Sequence, residues 1–383
     1  MRLILHGGFG EKGRTCVGVE SNGYRLLLDA GVKTSARDRA DYYPEIADDA
    51  LAATDAIVIT HGHEDHVAAL GWCIARGFRG RIFMTPGTLR ETGPCLAGYT
   101  SPDYQALFRK ASIEPLPVGT GALVLGPLRI ATGRSGHIVG GVWCSVDDGR
   151  ATFVYCGDVV PSSPIFAMDP MPGCSAIAID ASYGDDDASN RVRAMQVSEW
   201  IAARPMGCVL PTPLYGRSAE LLFFIPGRVA LAPGMREALH HQITDRDWLV
   251  EGTADILAGK LRAAVDWQEG ERLPRAALLC HDGMGMSGPA RAILEAAVAQ
   301  RHPTLFTGHV PGNTPGARML SDGAAAWIRL PTHPTLSENM AMIASSAATT
   351  VLGHSCEPAA LASLATHVPA LRTDLATGDS IDL

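Results

Sequence analysis

The chain lacks any apolar run of the ~20 residues that a membrane-spanning helix needs. Its amino terminus, MRLILHGGFG, has neither the long apolar stretch nor the small-residue cleavage site of a secretory leader. Both absences make the cytoplasm the expected location. The nine cysteines are odd in number, scattered and never spaced C-x-x-C. That pattern fits buried or free thiols in a reducing compartment better than a disulfide framework. Lysine is scarce: only Lys12, Lys33, Lys110 and Lys260 occur, and the formal net charge is −8. Broad non-specific nucleic-acid binding needs a basic surface, so the charge balance argues against it while leaving room for a locally basic groove. No P-loop and no G-x-S-x-G occurs. One formal G-x-G-x-x-G does, at Gly8, Gly10 and Gly13, but the TCVGVE after it alternates like a strand. A dinucleotide fold needs a helix there, so these glycines are expected to form a turn.

What is present is an ordinary globular composition, 46% apolar and 19% charged over 383 residues. That length suits one large domain or two moderate ones. In the first half, short runs such as YRLLLDA, DAIVIT, RIFMT, LRIATG, GVWCSVDD, ATFVYCGD and CSAIAIDAS read as strands joined by short turns, which suggests antiparallel sheet. Helices are expected over 65–76, 87–98 and 103–111. The character changes near Tyr183, where DASNRVRAMQVSEWIAARP reads as a capped helix and GCVLPTP as a buried strand. From there to about 315 helix and strand alternate, as in an inserted α/β unit. Strand, helix, strand and helix then return in AAWIRLP, LSENMAMIASS, TTVLGH and EPAALASLATH.

The densest chemistry lies in ITHGHEDHVAAL, residues 59–70, where His61 to His66 hold three histidines and two acids behind an apolar strand. A metal centre explains the crowding. In an extended loop, residues two apart point the same way, so His61 and His63 can share one ion. Asp65 and His66, in a first helical turn, would face a neighbouring position. Imidazole with carboxylate suits zinc, and also manganese or iron. Four ligands cannot complete two positions, and the chain offers more at strand ends: Asp29, His137, Asp158 and His354. A carboxylate such as Asp158 can bridge two ions. His-Glu-x-x-His, the zincin protease pattern, fails because Val67 stands four after His63. Glu64 alternates away from both histidines and is expected to be solvated.

The ordered set THGHEDH, His137, Asp158 and His354 resembles the metallo-β-lactamase superfamily. The opening GGFGEKGRTCVGVE…LLLDAG, with IAIDASYG, LCHDGMGMSGPARAIL, LFTGHVPGNTPGARML, LPTHPTLSENM and VLGHSCEP, is similar to its beta-CASP branch, which includes ribonuclease J and the cleavage-and-polyadenylation nucleases. The resemblance implies an α/β (α+β) fold: an αββα sandwich from 1–184 and a return segment 316–383, with an inserted α/β beta-CASP domain over 185–315. It implies two divalent metal ions, zinc or alternatively manganese. His61, His63 and His137 would hold one, and Asp65, His66 and His354 the other, with Asp158 bridging. Asp29 would orient a ligand histidine. His333 would contact the scissile phosphate or protonate the leaving oxygen, with Asp180 holding its ring. The Gly285–Pro289 segment would offer amide groups to phosphate, or form a helix entry with Ser287 as N-cap. His281 and His309 have no counterpart and read as structural or rim residues.

The implied function is hydrolysis of phosphodiester bonds, in single-stranded RNA, by attack of a metal-bound hydroxide. A homodimer is the family-based expectation for assembly. Two departures favour other readings. Pro334-Thr335 follows His333 where relatives usually carry Ala-Asp, and no RNA-binding module is expected beside the motifs. A hydrolase of a small metabolite, whether phosphodiester, lactone or thioester, is the second reading. A non-catalytic scaffold subunit is the third, and the complete ligand set argues against it.

Overall fold

The computed structural model describes all 383 residues, Met1–Leu383. They divide into two compact units. The first comprises Met1–Pro161, Met168–Asp187 and His333–Leu383; the second comprises Ser162–Ala167 and Ala188–Thr332.

The first unit carries two mixed sheets. One contains β1 (Arg2–Gly7), β2 (Cys16–Ser21), β3 (Tyr24–Leu28), β4 (Ala56–Val58), β5 (Arg81–Met84), β6 (Ile113–Pro115) and the C-terminal β19 (Ser380–Asp382), ordered β19-β1-β2-β3-β4-β5-β6. The other contains β7 (Leu123–Leu125), β8 (Leu128–Arg134), β9 (Val142–Asp147), β10 (Thr152–Tyr155), β11 (Ala176–Asp180) and β18 (Thr350–His354), ordered β18-β11-β10-β9-β8-β7. The expectation of antiparallel sheet holds for β1 to β3 and for β7 to β10. It fails from β3 to β6 and from β10 through β11 to β18, which run parallel. The reason is connectivity. Parallel neighbours need a crossover, and in the first sheet the helices Asp48–Ala52, Leu70–Ala75, Pro86–Tyr99 and Pro102–Lys110 supply it, the last three where helices are expected from the sequence.

Burial follows the apolar pattern. Leu27 and Ile57 of the first sheet, with Ile59 just past β4, pack with Val67, Trp72 and Phe108 from the helices outside it. Val154, Ile177, Ile179 and Val351 of the second pack with Met342, Leu361 and Leu364. Each such side chain contributes roughly 1.5–3 kcal/mol relative to exposure. The glycine turn behaves as expected. Gly8, Gly10 and Gly13 take φ of +88°, +69° and +93°, a strand follows, and Phe9 forms a bridge with His354. The helix expected over 65–76 is two pieces, Glu64–Val67 and Leu70–Ala75, broken at Ala68-Ala69. The Ala69 amide there bonds the Ala30 carbonyl instead of continuing the helix. All nine cysteines are unpaired, and no helix is long and apolar enough to cross a membrane.

The second unit is a parallel sheet flanked by helices. Its strands are β12 (Cys208–Pro211), β13 (Val229–Leu231), β14 (Val265–Asp266) and β15 (Ala277–Cys280), ordered β12-β15-β13-β14, plus a pair formed by β16 (Leu305–Phe306) and β17 (Ala326–Trp327). The pairing of β16 with β17 ties residues near 326 to this unit, so it runs to Thr332 where the alternation pattern had ended near 315. The strap Ser162–Ala167 also belongs here. Phe166 bridges Leu249, and the Ser163 hydroxyl donates to Glu220 Oε1 at 3.2 Å.

Glu220 is a buried carboxyl, and burial pushes its pKa up from 4.5 to about 7, against the pull of Arg217 and Ser163. The folded state therefore holds this proton more tightly than the unfolded chain. Its contribution is fully present below about pH 4.5 and is lost as pH rises through about 7. A Glu220→Gln chain should keep about 3 kcal/mol that wild type loses between pH 5 and 8. Urea unfolding at both pH values checks this; parallel curves for the two proteins would refute it.

Candidate metal centre

Most side chains at the centre sit at the C-terminal end of a parallel strand or in the loop just beyond one, where open α/β sheets present their ligands. His137 stands in the loop between the antiparallel β8 and β9. Asp29 follows β3 and His61 follows β4, and Leu28 pairs with Val58 in register. Asp158 lies just past β10. Asp180 and His354, the last residues of β11 and β18, are direct register partners.

His61, His63, His137 and Asp158 bring one ligand atom each within 4.8 Å of one another. The three imidazoles stand edge to edge, with centroids 4.8–5.1 Å apart and planes inclined by 80–88°. His137 Nε2 lies 3.1 Å from His63 Nδ1. Two nitrogens on a tetrahedral ion, with bonds of ~2.0–2.1 Å, would sit about 3.3 Å apart, so the spacing fits a shared cation. Buried ring atoms agree. His61 Nε2 and His354 Nε2 have no hydrogen-bond partner, while the opposite nitrogen of each is engaged: His61 Nδ1 by Thr60 Oγ1 and His354 Nδ1 by Ser355 Oγ, both at 3.1 Å. Ligand histidines are held in this way.

The second position is more open. His66 Nε2 approaches Asp158 Oδ1 to 3.1 Å and Asp65 Oδ2 to 3.9 Å, and the His66 and His354 rings are 6.4 Å apart. His66 Nδ1 rests on Asp29 Oδ2 at 2.7 Å. A second tight cluster forms instead from Asp158, Asp180 and His333. There, His333 Nδ1 is hydrogen-bonded to Asp180 Oδ2 at 2.8 Å. That bond occupies the ring nitrogen and turns Nε2 away from Asp180, which suits proton transfer better than metal ligation. Tyr183 packs edge-on against His333 at 5.0 Å.

Asp158, only 3% exposed, lies within 3.7 Å of His61, His66, His137 and His333. Burial opposes its charge, but His66 and His333 hold it well below the usual carboxylate range. Burial pushes His137 down to about 3, and burial with His66 pushes His61 well below its ordinary value. Both therefore present neutral lone pairs. Burial works against charge on His333 too, yet Asp180 and Asp158 raise it to about 9.

Some expectations are corrected. Glu64 is half-buried rather than solvated. The amides expected to cradle phosphate are taken by Asp282. Its Oδ1 accepts from Met284, Gly285 and Met286 (2.9, 2.5 and 3.0 Å), and its Oδ2 accepts from the Ser287 amide and hydroxyl (2.9 and 2.8 Å). Ser287 therefore stands at the N-cap position without a side-chain cap. Pro334-Thr335 has a local use: Thr335 and Glu338 form a capping box that starts the helix Leu336–Ser346. Sequence reading passed over Thr60 and Tyr155, whose hydroxyls reach Asp29 Oδ2 at 2.8 Å each.

Residues 10–204, just over half the chain, match the family model described as the metallo-beta-lactamase superfamily. The chain belongs to that superfamily. It lies in the beta-CASP branch, related to nucleases of the ribonuclease J and cleavage-and-polyadenylation type. It is 28% identical over 294 residues to the transcription termination factor FttA of Cenarchaeum symbiosum, covering 69% of this chain and 45% of that one. It is 26% identical over 241 residues to ribonuclease TTHA0252 of Thermus thermophilus, covering 59% and 54%. Against the cleavage and polyadenylation specificity factor 73 of Drosophila melanogaster, identity is 26% over 252 residues, covering 59% and 36%. The matched region spans about half or less of each of these relatives. A crystal structure of a protein of unknown function from Enterococcus faecalis V583 has the same fold at a TM-score of 0.65 and 12% identity, covering 100% of this chain and 99% of that one.

Proposed function

We propose that this chain is a dinuclear-metal hydrolase of phosphodiester bonds, acting on single-stranded RNA, and that its second unit is the beta-CASP domain of the branch. The observation that carries the reading is the buried Asp158 carboxylate ringed by His61, His66, His137 and His333. His61, His63 and His137 would hold one ion and Asp65, His66 and His354 the other, with Asp158 shared. Bound divalent ions activate water and offset charge on phosphate oxygens. His333, charged and oriented by Asp180, then gives its proton to the departing 3′ oxygen. The names of the relatives, among them a ribonuclease and an endoribonuclease, support RNA as substrate. The unpaired thiols fit a cytoplasmic setting.

The test is a 5′-labelled single-stranded RNA incubated with protein loaded with zinc or manganese, with and without chelator. Chelator-sensitive cleavage is expected, and the size of the labelled product separates exonucleolytic from endonucleolytic attack. A protein carrying two ions that leaves RNA intact would sink the RNA reading. The small-metabolite reading, favoured by the net charge of −8, would then stand.

A further inference from the structure

Asp29, Thr60, His61, His66 and Tyr155 are each 1% exposed or less, so no solvent competes for their hydrogen bonds. Asp29, as a carboxylate, can only accept. Its Oδ1 takes the Thr60 amide at 2.7 Å. Its Oδ2 takes the Thr60 hydroxyl at 2.8 Å, the Tyr155 hydroxyl at 2.8 Å and His66 Nδ1 at 2.7 Å. His66 must therefore carry its proton on Nδ1. The consequence extends one bond further. A threonine hydroxyl has one proton, and Thr60 gives it to Asp29. At 3.1 Å from His61 Nδ1, the Thr60 oxygen can then only accept, so His61 also carries its proton on Nδ1. Both rings therefore turn Nε2, rather than Nδ1, toward a ligand.

Thr60 has no freedom to do otherwise. Its amide is bound to Asp29 and its carbonyl accepts from the Val142 amide at 3.0 Å. Gly157, at φ +54°, passes so close that a Cβ there would lie 2.9 Å from the Thr60 hydroxyl.

We propose that Thr60 is a positioning residue that fixes the Nδ1–H tautomer of His61, so that one carboxylate, Asp29, sets the ligand face of a histidine in each metal position. The inference rests on His61 being a ligand, as proposed above. Its test uses no RNA, and its first readout uses no metal, so its failure is distinguishable from failure of the RNA reading. Two-bond 15N–1H spectra of the metal-free, 15N-histidine-labelled chain should show His61 as the Nδ1–H tautomer. Wild type with the proton on Nε2 would overturn the proposal outright.

Thr60→Val keeps the shape and removes the hydroxyl. It should mix the His61 tautomers and weaken zinc binding at one of two sites by about 10–100-fold in competition with a chromophoric chelator. Thr60→Ser should restore both readouts. If Thr60→Val fails to fold, Asp29→Asn serves. Its amide would donate to Thr60, turn that hydroxyl toward His61 Nδ1, and move the ring proton to Nε2. Unchanged tautomer and zinc affinity in a folded Thr60→Val or Asp29→Asn chain would refute the coupling.

Discussion

Asp158→Ala should yield a folded chain that no longer retains two metal ions and hydrolyses RNA slower by on the order of 10³-fold or more, the scale on which members of one catalytic unit act. The size of the effect follows from how much converges on a single carboxylate. Asp158 Oδ1 meets His66 at 3.1 Å, and Oδ2 lies 3.6–3.7 Å from His61, His137 and His333. Removing it takes a ligand from both positions and the negative partner from His333 in one step. Asp158→Asn isolates the charge, because the amide fills the same space but is a weak metal ligand. Metal content by elemental analysis, circular dichroism and the RNA assay together read the outcome. A folded Asp158→Ala protein with two ions and full activity would eliminate the bridging role.

His333→Ala should slow RNA cleavage by about 10²–10⁴-fold, the usual worth of a positioned general acid. It should leave hydrolysis of a p-nitrophenyl phosphodiester little changed, since that leaving group needs no proton. The contrast is the point: a residue that merely shapes the site would slow both substrates alike. The grounds are the 2.8 Å bond from His333 Nδ1 to Asp180 and the raised pKa of about 9, which keep the ring charged at neutral pH. Asp180→Asn should follow part of the way, because an amide orients the ring without stabilising its charged form. Asp180 also accepts from the Ser182 amide at 3.1 Å, so that variant should be checked for fold. Equal losses on both substrates in His333→Ala would remove the general-acid role.

Much of the fold was legible because local patterns were strong. The helix Asn190–Ala202 starts at its Ser189 cap, and Pro86–Tyr99 starts at Thr85 with proline in the first turn. The second compact unit runs to Thr332, past the expected boundary near 315, and β16 and β17 are two residues each, too short to show a period, so that only their mutual pairing marks them. The amide loop after His281 was ambiguous for a different reason. A glycine-rich turn before a helix reads the same whether its donors face phosphate or a neighbouring acid, and Asp282 proves to be that acid.

By itself the sequence determined which side chains could ligate a metal and that they lie at strand ends. Residue chemistry and two-residue spacing are local properties of His61 to His66. Tertiary structure alone decided which atoms converge. Asp180 meets His354 only through the parallel register of β11 with β18, and Asp29 meets His66 and Thr60 only because β3 lies beside β4. Those pairings join residues far apart in the chain. The direction of a hydroxyl proton at Thr60, or of a lone pair on His61, is set by neighbours that no local pattern names.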